Sequence, residues 1–233
     1  MRPLSRPTRA AGIPFVLVSA VHLGSQLAGA SRTAEITQWF LMPLLAIGVV
    51  VAAGSQVRDR VVRLTLVALA FSWLGDTAPD LAPSGGRFLV LVGLFLVAQV
   101  VYIVAFLPYR HRSVLCRPGV VPYGLAVLAL VTACAPRTGA LLLPTVLYAG
   151  CLASMAILAT GVHRWVGVGA AVFLVSDSLI ALHAFTSWYA LPRHGFWVML
   201  TYVVGQALIA ACVGRRARSG DAALLASAGD AAR

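Results

Sequence analysis

Two aspartates stand inside long apolar stretches of the sequence. Asp76 lies in ALAFSWLGDTAPDL, residues 68–81, and Asp177 lies in FLVSDSLIAL, residues 173–182. An ionisable side chain at membrane depth costs a few kcal/mol on insertion scales, so it should face the protein interior and serve a function there. At about 1.5 Å per residue, Asp76 lies roughly 22 Å and Asp177 roughly 18 Å from the start of its span. Both therefore fall in the same half of a hydrocarbon core about 30 Å thick, where the two carboxyl groups can meet.

A pair of buried carboxyl groups offers a defined chemistry. Two such groups close together resist ionising at once, so one can keep its proton while the other is charged. An acid beside an anion is also what glycoside hydrolysis uses to pass through an oxocarbenium-like state. The sequence does not indicate which aspartate would be the acid and which the base.

Other catalytic and metal-binding patterns are missing from the sequence. It contains no GxSxG, HExxH or HxxxH motif, and these are the signatures of serine hydrolases and zinc sites. His183 is six residues from Asp177, on a different helical face. A metal site built from His22, His183 and the aspartates is geometrically possible, but no ligand spacing favours it. We expect neither a metal nor a cofactor.

Further polar residues accompany the aspartates at membrane depth. Gln99 and Gln206 descend roughly 18 Å and 16 Å into the fourth and eighth spans, within a turn or two of the aspartates. Their alternative role is to join helices through hydrogen bonds, each worth under about 1 kcal/mol. The first span carries a polar stripe that must also face inward, formed by Ser19, His22, Ser25 and Gln26.

Asp76 also has a purely structural interpretation. Gly75 and Pro79 weaken a helix, so Asp76 could mark the end of the third span rather than a buried site. Asp80, one turn further on, is interpreted as a charge among lipid headgroups. Asp177 is harder to explain in this way, because nearly a full span of apolar residues surrounds it and Ser176 and Ser178 flank it.

The elements that must position these residues are membrane helices. The 233 residues are 60% hydrophobic and 11% charged, with mean hydropathy +0.90, which is typical of a polytopic membrane protein. We predict an all-α bundle of eight transmembrane helices in residues 1–214 and a disordered cytoplasmic tail over residues 215–233. The spans are predicted at residues 12–30, 36–54, 61–81, 87–108, 119–135, 139–160, 165–186 and 195–213.

The charges predict how the bundle lies in the membrane. All 18 basic residues are arginines against 7 acidic residues, and 14 of the 18 fall on the side of the termini and even-numbered loops. The positive-inside rule then places both termini in the cytoplasm of a cell membrane protein. The arginines lie between apolar runs, which indicates contact with anionic headgroups and argues against nucleic acid binding. The N-terminus has the outline of a cleaved signal peptide, but we expect a first span, because His22 and Gln26 interrupt the apolar run.

Four cysteines and an internal similarity complete the sequence features. The cysteines show no CxxC spacing, so neither a disulfide nor a zinc site is expected. A shift of 101 positions aligns several rare residues, among them Arg63 with Arg164 and Asp76 with Asp177. This pattern is compatible with two parallel four-helix repeats whose third and seventh helices correspond.

Four motifs give the chain a family resemblance. They are FSWLGD at 71–76, FLVAQVVY at 95–102 followed by Phe106, FLVSDSL at 173–179, and YVVGQALI at 202–209. In order and spacing they resemble the YhhN family of eight-span membrane proteins, whose characterised members are lysoplasmalogenases. Two positions depart from the family pattern, because Gln99 stands where the family has a histidine and Gln38 stands where it has a lysine.

The resemblance implies hydrolysis of the vinyl ether bond of a lysoplasmalogen-like lysophospholipid, giving a fatty aldehyde and a glycerophospho compound. Asp76 and Asp177 would be catalytic. The residues expected to bind substrate or to support the site are Gln99, Tyr102, Gln206, Tyr202, Ser72, Ser176 and His22. The expected partners are the lipid substrate and the bilayer, and the sequence does not indicate an oligomeric state.

Two other classes of protein fit the same residues. In a proton- or cation-coupled transporter of small molecules or lipids, or in a lipid-binding membrane protein, the aspartates would relay protons or bind a cation between repeats. In a structural membrane protein the polar residues would only hold helices together.

Overall fold

The computed structural model describes residues 6–83 and 85–231, with the side chains of residues 8, 10–83, 85–115 and 117–216. The described part of the chain is helical and contains no strand, which confirms the all-α prediction. Three short 3-10 turns cover residues 107–120 between the two halves. The eight helices are α1 (Arg6–Ala28), α2 (Ser31–Ala53), α3 (Arg60–Leu81), α4 (Arg87–Phe106), α5 (Val121–Thr138), α6 (Leu142–Val162), α7 (Arg164–Phe185) and α8 (His194–Ala231).

Helix length and hydropathy agree with a polytopic membrane protein. Seven helical segments of the described chain are long and apolar enough to cross a bilayer. One of them, Pro118–Val162, has 45 residues and contains both α5 and α6, which pack against each other. Gly139, between them, has a φ of +50°, a conformation that glycine adopts without strain. Each of the eight helices overlaps one of the predicted spans, with ends that differ by a few residues, and the number that cross the bilayer stays a prediction.

The C-terminal region differs from the prediction. Helix α8 continues to Ala231, whereas a disordered tail was expected after residue 214. The segment DAALLASAGDA at 221–231 is rich in alanine and leucine, which are strong helix formers. The amino-acid composition of residues 215–233 predicted disorder, whereas the helix propensity of alanine and leucine favours the helix found as far as Ala231.

Helix α3 also settles the structural interpretation of Asp76. The helix continues through Gly75 and Pro79 to Leu81, so Asp76 lies inside it and not at its end. Proline lacks a backbone N–H and leaves the carbonyl four residues earlier without its helical partner. In α3 this loss falls in the last full turn, where the helix is about to end in any case.

Helix packing follows a similar order in the two halves of the chain. Helix α3 packs on α4 as α7 packs on α8, and α2 packs on α8 as α6 packs on α4. The outermost helices differ, since α1 packs mainly on α2 and α8 whereas α5 packs on α6 and α7. Helices α7 and α8 approach each other closely, since a Cβ on Gly169 would lie 2.7 Å from the carbonyl oxygen of Gly205. Small residues permit such approach in membrane bundles.

Polar side chains are concentrated inside the bundle and large apolar ones cover much of its outside. The largest fully buried side chains include His22, Gln99 and Gln206. In contrast, Leu17 and Leu125 are 61% and 59% exposed. This inverted arrangement suits a protein whose outer surface faces lipid. We call the end of the bundle that carries the connections 29–30, 82–86, 139–141 and 186–193 the distal end.

Candidate functional site

Asp177 lies inside the bundle on α7, where two side chains from other helices donate to it. The Tyr148 hydroxyl of α6 donates to Asp177 Oδ2 at 2.6 Å, and Gln99 Nε2 of α4 donates to the same oxygen at 3.0 Å. Asp177 is 6% exposed. Hydrogen bonds donated to a carboxylate stabilise its charged form. These two hydrogen bonds favour the charged form of Asp177, and its burial opposes it.

Asp76 occupies the corresponding place on α3. The Tyr202 hydroxyl of α8 donates to Asp76 Oδ2 at 2.7 Å, and Gln38 Nε2 of α2 donates to the backbone carbonyl of Asp76 at 3.2 Å. The residue is 8% exposed. Its carboxyl group lies within electrostatic range of Asp177. The structure thus brings the two aspartates of the sequence motifs into one site.

Three aromatic rings, from α4, α7 and α8, pack against one another beside the residues of the site. The ring centroid of Phe95 is 5.7 Å from that of Tyr202 and 6.1 Å from that of Phe173. Phe95 also faces Gly75 of α3, where an added Cβ would lie 2.8 Å from the ring. Edge-to-face packing of this kind is favourable at such centroid distances. The glycine next to Asp76 therefore makes room for the ring that supports Tyr202.

A second polar layer lies one turn from the aspartates. The Tyr102 hydroxyl donates to Gln206 Oε1 at 2.8 Å, and Gln206 Nε2 donates to Ser72 Oγ at 3.2 Å. All three side chains are buried. Ser72 precedes Asp76 by four residues and Gln206 follows Tyr202 by four, so each helix presents both of its polar residues on one face. The layer joins α3, α4 and α8.

Two of the predicted support residues lie elsewhere. His22 Nδ1 lies 3.1 Å from the carbonyl oxygen of Ala34 and 3.0 Å from Thr37 Oγ1, so this ring joins α1 to α2. Ser176 donates to the backbone carbonyl of Val198 at 2.9 Å and joins α7 to α8. Among the described residues, neither side chain forms a hydrogen bond with a carboxyl group of the site. Both have the helix-joining role that was the alternative interpretation of the buried polar residues.

The histidines and the aspartates do not come together. His183 stacks on His194 with ring centroids 4.3 Å apart, at the distal end of α7 and α8. Within the part of the chain that the structure describes, no three His, Cys, Asp or Glu side chains are placed to hold one metal ion. The site therefore consists of carboxyl, amide and phenol groups.

Sequence reasoning missed Tyr148 and treated Gln38 only as a departure from the family. Tyr148 is a single phenol in an otherwise apolar span, LLPTVLYAGCLA at 142–153. A tyrosine hydroxyl at membrane depth needs a partner, and this was the available signal. Its partner could not be identified, because the sequence does not show that α6 packs against α4 and α7.

One buried polar atom of the site has no partner among the described residues. Gln99 is fully buried and its Nε2 is used by Asp177, but its Oε1 accepts no hydrogen bond. An unsatisfied buried acceptor costs free energy. Gln99 Oε1 belongs to the same carboxamide whose Nε2 donates a hydrogen bond to Asp177. It can therefore accept a hydrogen bond from a water or hydroxyl group beside that carboxylate.

Two openings lie near the site. One is an apolar groove between α4, α6 and α7 that reaches Asp177. The other is a more polar depression at the distal end, lined by Asp80, Glu35, Arg87, Ile36, Trp39 and Phe40. Asp80 is exposed there, at the position predicted for an interfacial charge, and is not part of the buried site.

Comparison with known proteins agrees with the motifs. The sequence profile of the YhhN family matches residues 34–213, which is more than three quarters of the chain and contains both aspartates. No curated protein and no solved structure gives a significant match. The matched region runs from α2 to α8 and includes Gln99, Tyr148 and Tyr202, which donate hydrogen bonds to the two carboxyl groups. The chain is therefore a member of the YhhN family.

Proposed function

We propose that this protein is a membrane hydrolase that cleaves the vinyl ether bond of a lysoplasmalogen-like lysophospholipid. The observation that carries the proposal is a pair of buried carboxyl groups that other helices hold in place: α4 and α6 donate hydrogen bonds to Asp177, and α8 donates one to Asp76. Membership of the YhhN family supports a hydrolase. Burial among membrane helices suits a substrate that is itself a lipid.

The reaction requires an acid and a base. Protonation of the vinyl carbon remote from the ether oxygen gives an oxocarbenium ion, which the nearby carboxylate stabilises. Water then attacks the carbon bonded to oxygen and loses a proton to that carboxylate. The resulting hemiacetal transfers its hydroxyl proton to the leaving oxygen through the carboxyl groups. The products are a fatty aldehyde and a glycerophospho compound, and the site ends with the protons it had at the start.

The hydrogen bonds favour different roles for the two aspartates. Asp177 Oδ2 accepts two hydrogen bonds, which favours the anion, whereas Asp76 Oδ2 accepts one, from Tyr202. We assign Asp76 as the proton donor and Asp177 as the carboxylate that stabilises the cation and activates water. The free Oε1 of Gln99 would orient that water beside Asp177.

The test is aldehyde release by the purified full chain in detergent, with a lysoplasmalogen as substrate. Asp76→Asn and Asp177→Asn preserve size and hydrogen bonding but remove the acid or the anion, so each should reduce the rate about a hundredfold or more. Asp80→Asn is the matched control, because its side chain is exposed in the distal depression, and it should retain full activity. Full activity in both site variants would exclude a catalytic pair.

The similar packing of the two halves supports one alternative, a transporter with its acids between repeats. Proton-coupled uptake of a lipid or small molecule into proteoliposomes, with the mass of that molecule unchanged, would favour it. For a purely structural pair, apolar replacement of both aspartates would disturb folding or assembly, and no chemistry would be lost.

A further inference from the structure

The groove between α4, α6 and α7 has a graded polarity. Its walls carry Phe88, Leu89, Leu91 and Val92 from α4, Pro144 and Thr145 from α6, and Ile180, Ala181 and Phe185 from α7, with Leu141 at the end of the connection before α6. The cavity within the groove is small, about 60 Å³, so the groove is a narrow passage that is open along one side. Asp177 and Tyr148 form its inner end.

The polar groups of the groove are confined to that inner end. The Tyr148 hydroxyl donates to Asp177 Oδ2, so both polar side chains there belong to the carboxylate site. Thr145 donates its hydroxyl to the carbonyl of Leu141 in the preceding turn, at 2.8 Å, and so satisfies its donor within its own chain segment. Among the lining residues, the other side chains are apolar.

The mouth of the groove faces away from the bundle. Leu89 is 55% exposed and Pro144 is also exposed, on the surface that faces lipid in a membrane protein. From Asp177 to Phe185 the groove follows α7 for two turns, about 12 Å. It therefore joins the bilayer to the buried carboxylate through an apolar passage.

We propose that this groove holds the proximal part of the hydrocarbon chain of a single-chain ether lipid, which enters laterally between α4, α6 and α7. The inference rests on the proposed function. In a vinyl ether lipid the reacting carbons are the first two of the chain, so the next carbons must lie directly beside the carboxyl pair. The groove extends from Asp177 toward the distal end, where α4 and α6 begin and α7 ends, and it opens sideways to lipid. The remainder of the hydrocarbon chain therefore leaves the groove through its side and lies in the bilayer.

The groove offers a way to block chain entry without changing the carboxyl groups. Ala181 follows Asp177 by one turn and lines the groove, so Ala181→Trp would fill it next to the carboxylate. Val175 is on the same helix and 46% exposed, and it is absent from the lining, so Val175→Trp adds the same bulk at a lipid-facing position.

The experiment uses photo-crosslinking to the full chain in nanodiscs. The probe is a 1-O-alkyl lysophospholipid, which lacks the vinyl bond, with a diazirine on an early carbon of its chain. We expect mass spectrometry to locate the label on the groove segments 88–92, 144–148 or 180–185. Since burial of each methylene favours binding about fourfold, Ala181→Trp should lower labelling about tenfold or more. Val175→Trp should leave it unchanged.

Three results would overturn the inference: label on lipid-facing positions outside the groove, labelling that Ala181→Trp does not lower, or equal labelling by a two-chain phospholipid probe. Failure of the groove and failure of the hydrolase remain distinguishable. If a vinyl ether lipid is cleaved but the label lies elsewhere, the groove assignment is wrong and the hydrolase stands. If the groove is labelled and no vinyl ether lipid is cleaved, the groove stands as a single-chain lipid site and the hydrolase is wrong.

Discussion

Tyr202 of α8 donates a hydrogen bond to Asp76 of α3 at 2.7 Å, and so joins the last helix of the second half of the chain to the first half. A second hydrogen bond joins the halves in the opposite sense, because Gln99 of α4 in the first half donates to Asp177 of α7 in the second half at 3.0 Å. Each aspartate is thus held by the fourth helix of the other half. Neither half contains a complete site, so the site depends on how the halves pack.

The bond from Tyr202 can be tested by removing one oxygen atom. Tyr202→Phe keeps the ring that packs on Phe95 and Phe173 but leaves Asp76 without its donor. Loss of a hydrogen bond to an ionisable group costs about 1.5–3 kcal/mol, which corresponds to roughly a tenfold to hundredfold loss of rate. Aldehyde release measures the effect of the substitution on the reaction rate, and thermal denaturation in detergent measures its effect on stability.

Tyr109→Phe provides the matched control, because Tyr109 lies in the 107–112 turn at the end opposite the distal end and packs against Arg216. Its activity should remain that of the wild type. If Tyr202→Phe is as active as Tyr109→Phe, the hydroxyl of Tyr202 does not contribute to the reaction.

Gln99 can be tested against the family residue. An imidazole N–H can donate to Asp177 as Gln99 Nε2 does now, so Gln99→His should retain activity. Gln99→Leu removes both the donor and the free acceptor and should lower the rate roughly tenfold to hundredfold. The comparison is made by aldehyde release at equal amounts of folded protein. Equal activity in the leucine and histidine variants would mean that this side chain only fills space.

The crossing of α7 and α8 should tolerate no added methyl group. In Gly205→Ala the Cβ would lie 2.8 Å from the carbonyl oxygen of Gly169 and 2.9 Å from the backbone N of Phe173. The helices must separate, which we expect to cost about 1–3 kcal/mol. Gly93→Ala on α4 is the control, because nothing lies within 4 Å of its added Cβ. Thermal denaturation should show a lower midpoint for Gly205→Ala alone, and equal midpoints would refute tight packing here.

The arginines of the chain predict the orientation of the bundle in the membrane. Since 14 of the 18 lie on the side of the termini, we expect a reporter fused after residue 233 to be cytoplasmic. A tag inserted in the loop 186–193, where Trp188 is 67% exposed, should be labelled from outside intact cells. Labelling of the terminal reporter but not of this loop tag would reverse the predicted topology.

The sequence alone determined the fold class and the residues of interest. Long apolar runs predict membrane helices because a backbone in lipid must satisfy its own hydrogen bonds. An ionisable residue in such a run is conspicuous because it is costly there, so Asp76 and Asp177 could be found without coordinates. The motifs around them were also sufficient to indicate the YhhN family.

The tertiary structure decided which groups surround those residues. Sequence spacing places Tyr202 and Gln206 on one face of a helix, but it does not say that the face meets α3 and not α7. Only packing assigned Tyr202 to Asp76 and Tyr148 to Asp177, and only packing showed that His22 and Ser176 bond to backbone carbonyl groups of neighbouring helices. The physical reason is that periodicity along a helix is local, whereas contacts between helices depend on shape, as at Gly169 and Gly205, where the absence of side chains sets the approach of α7 to α8.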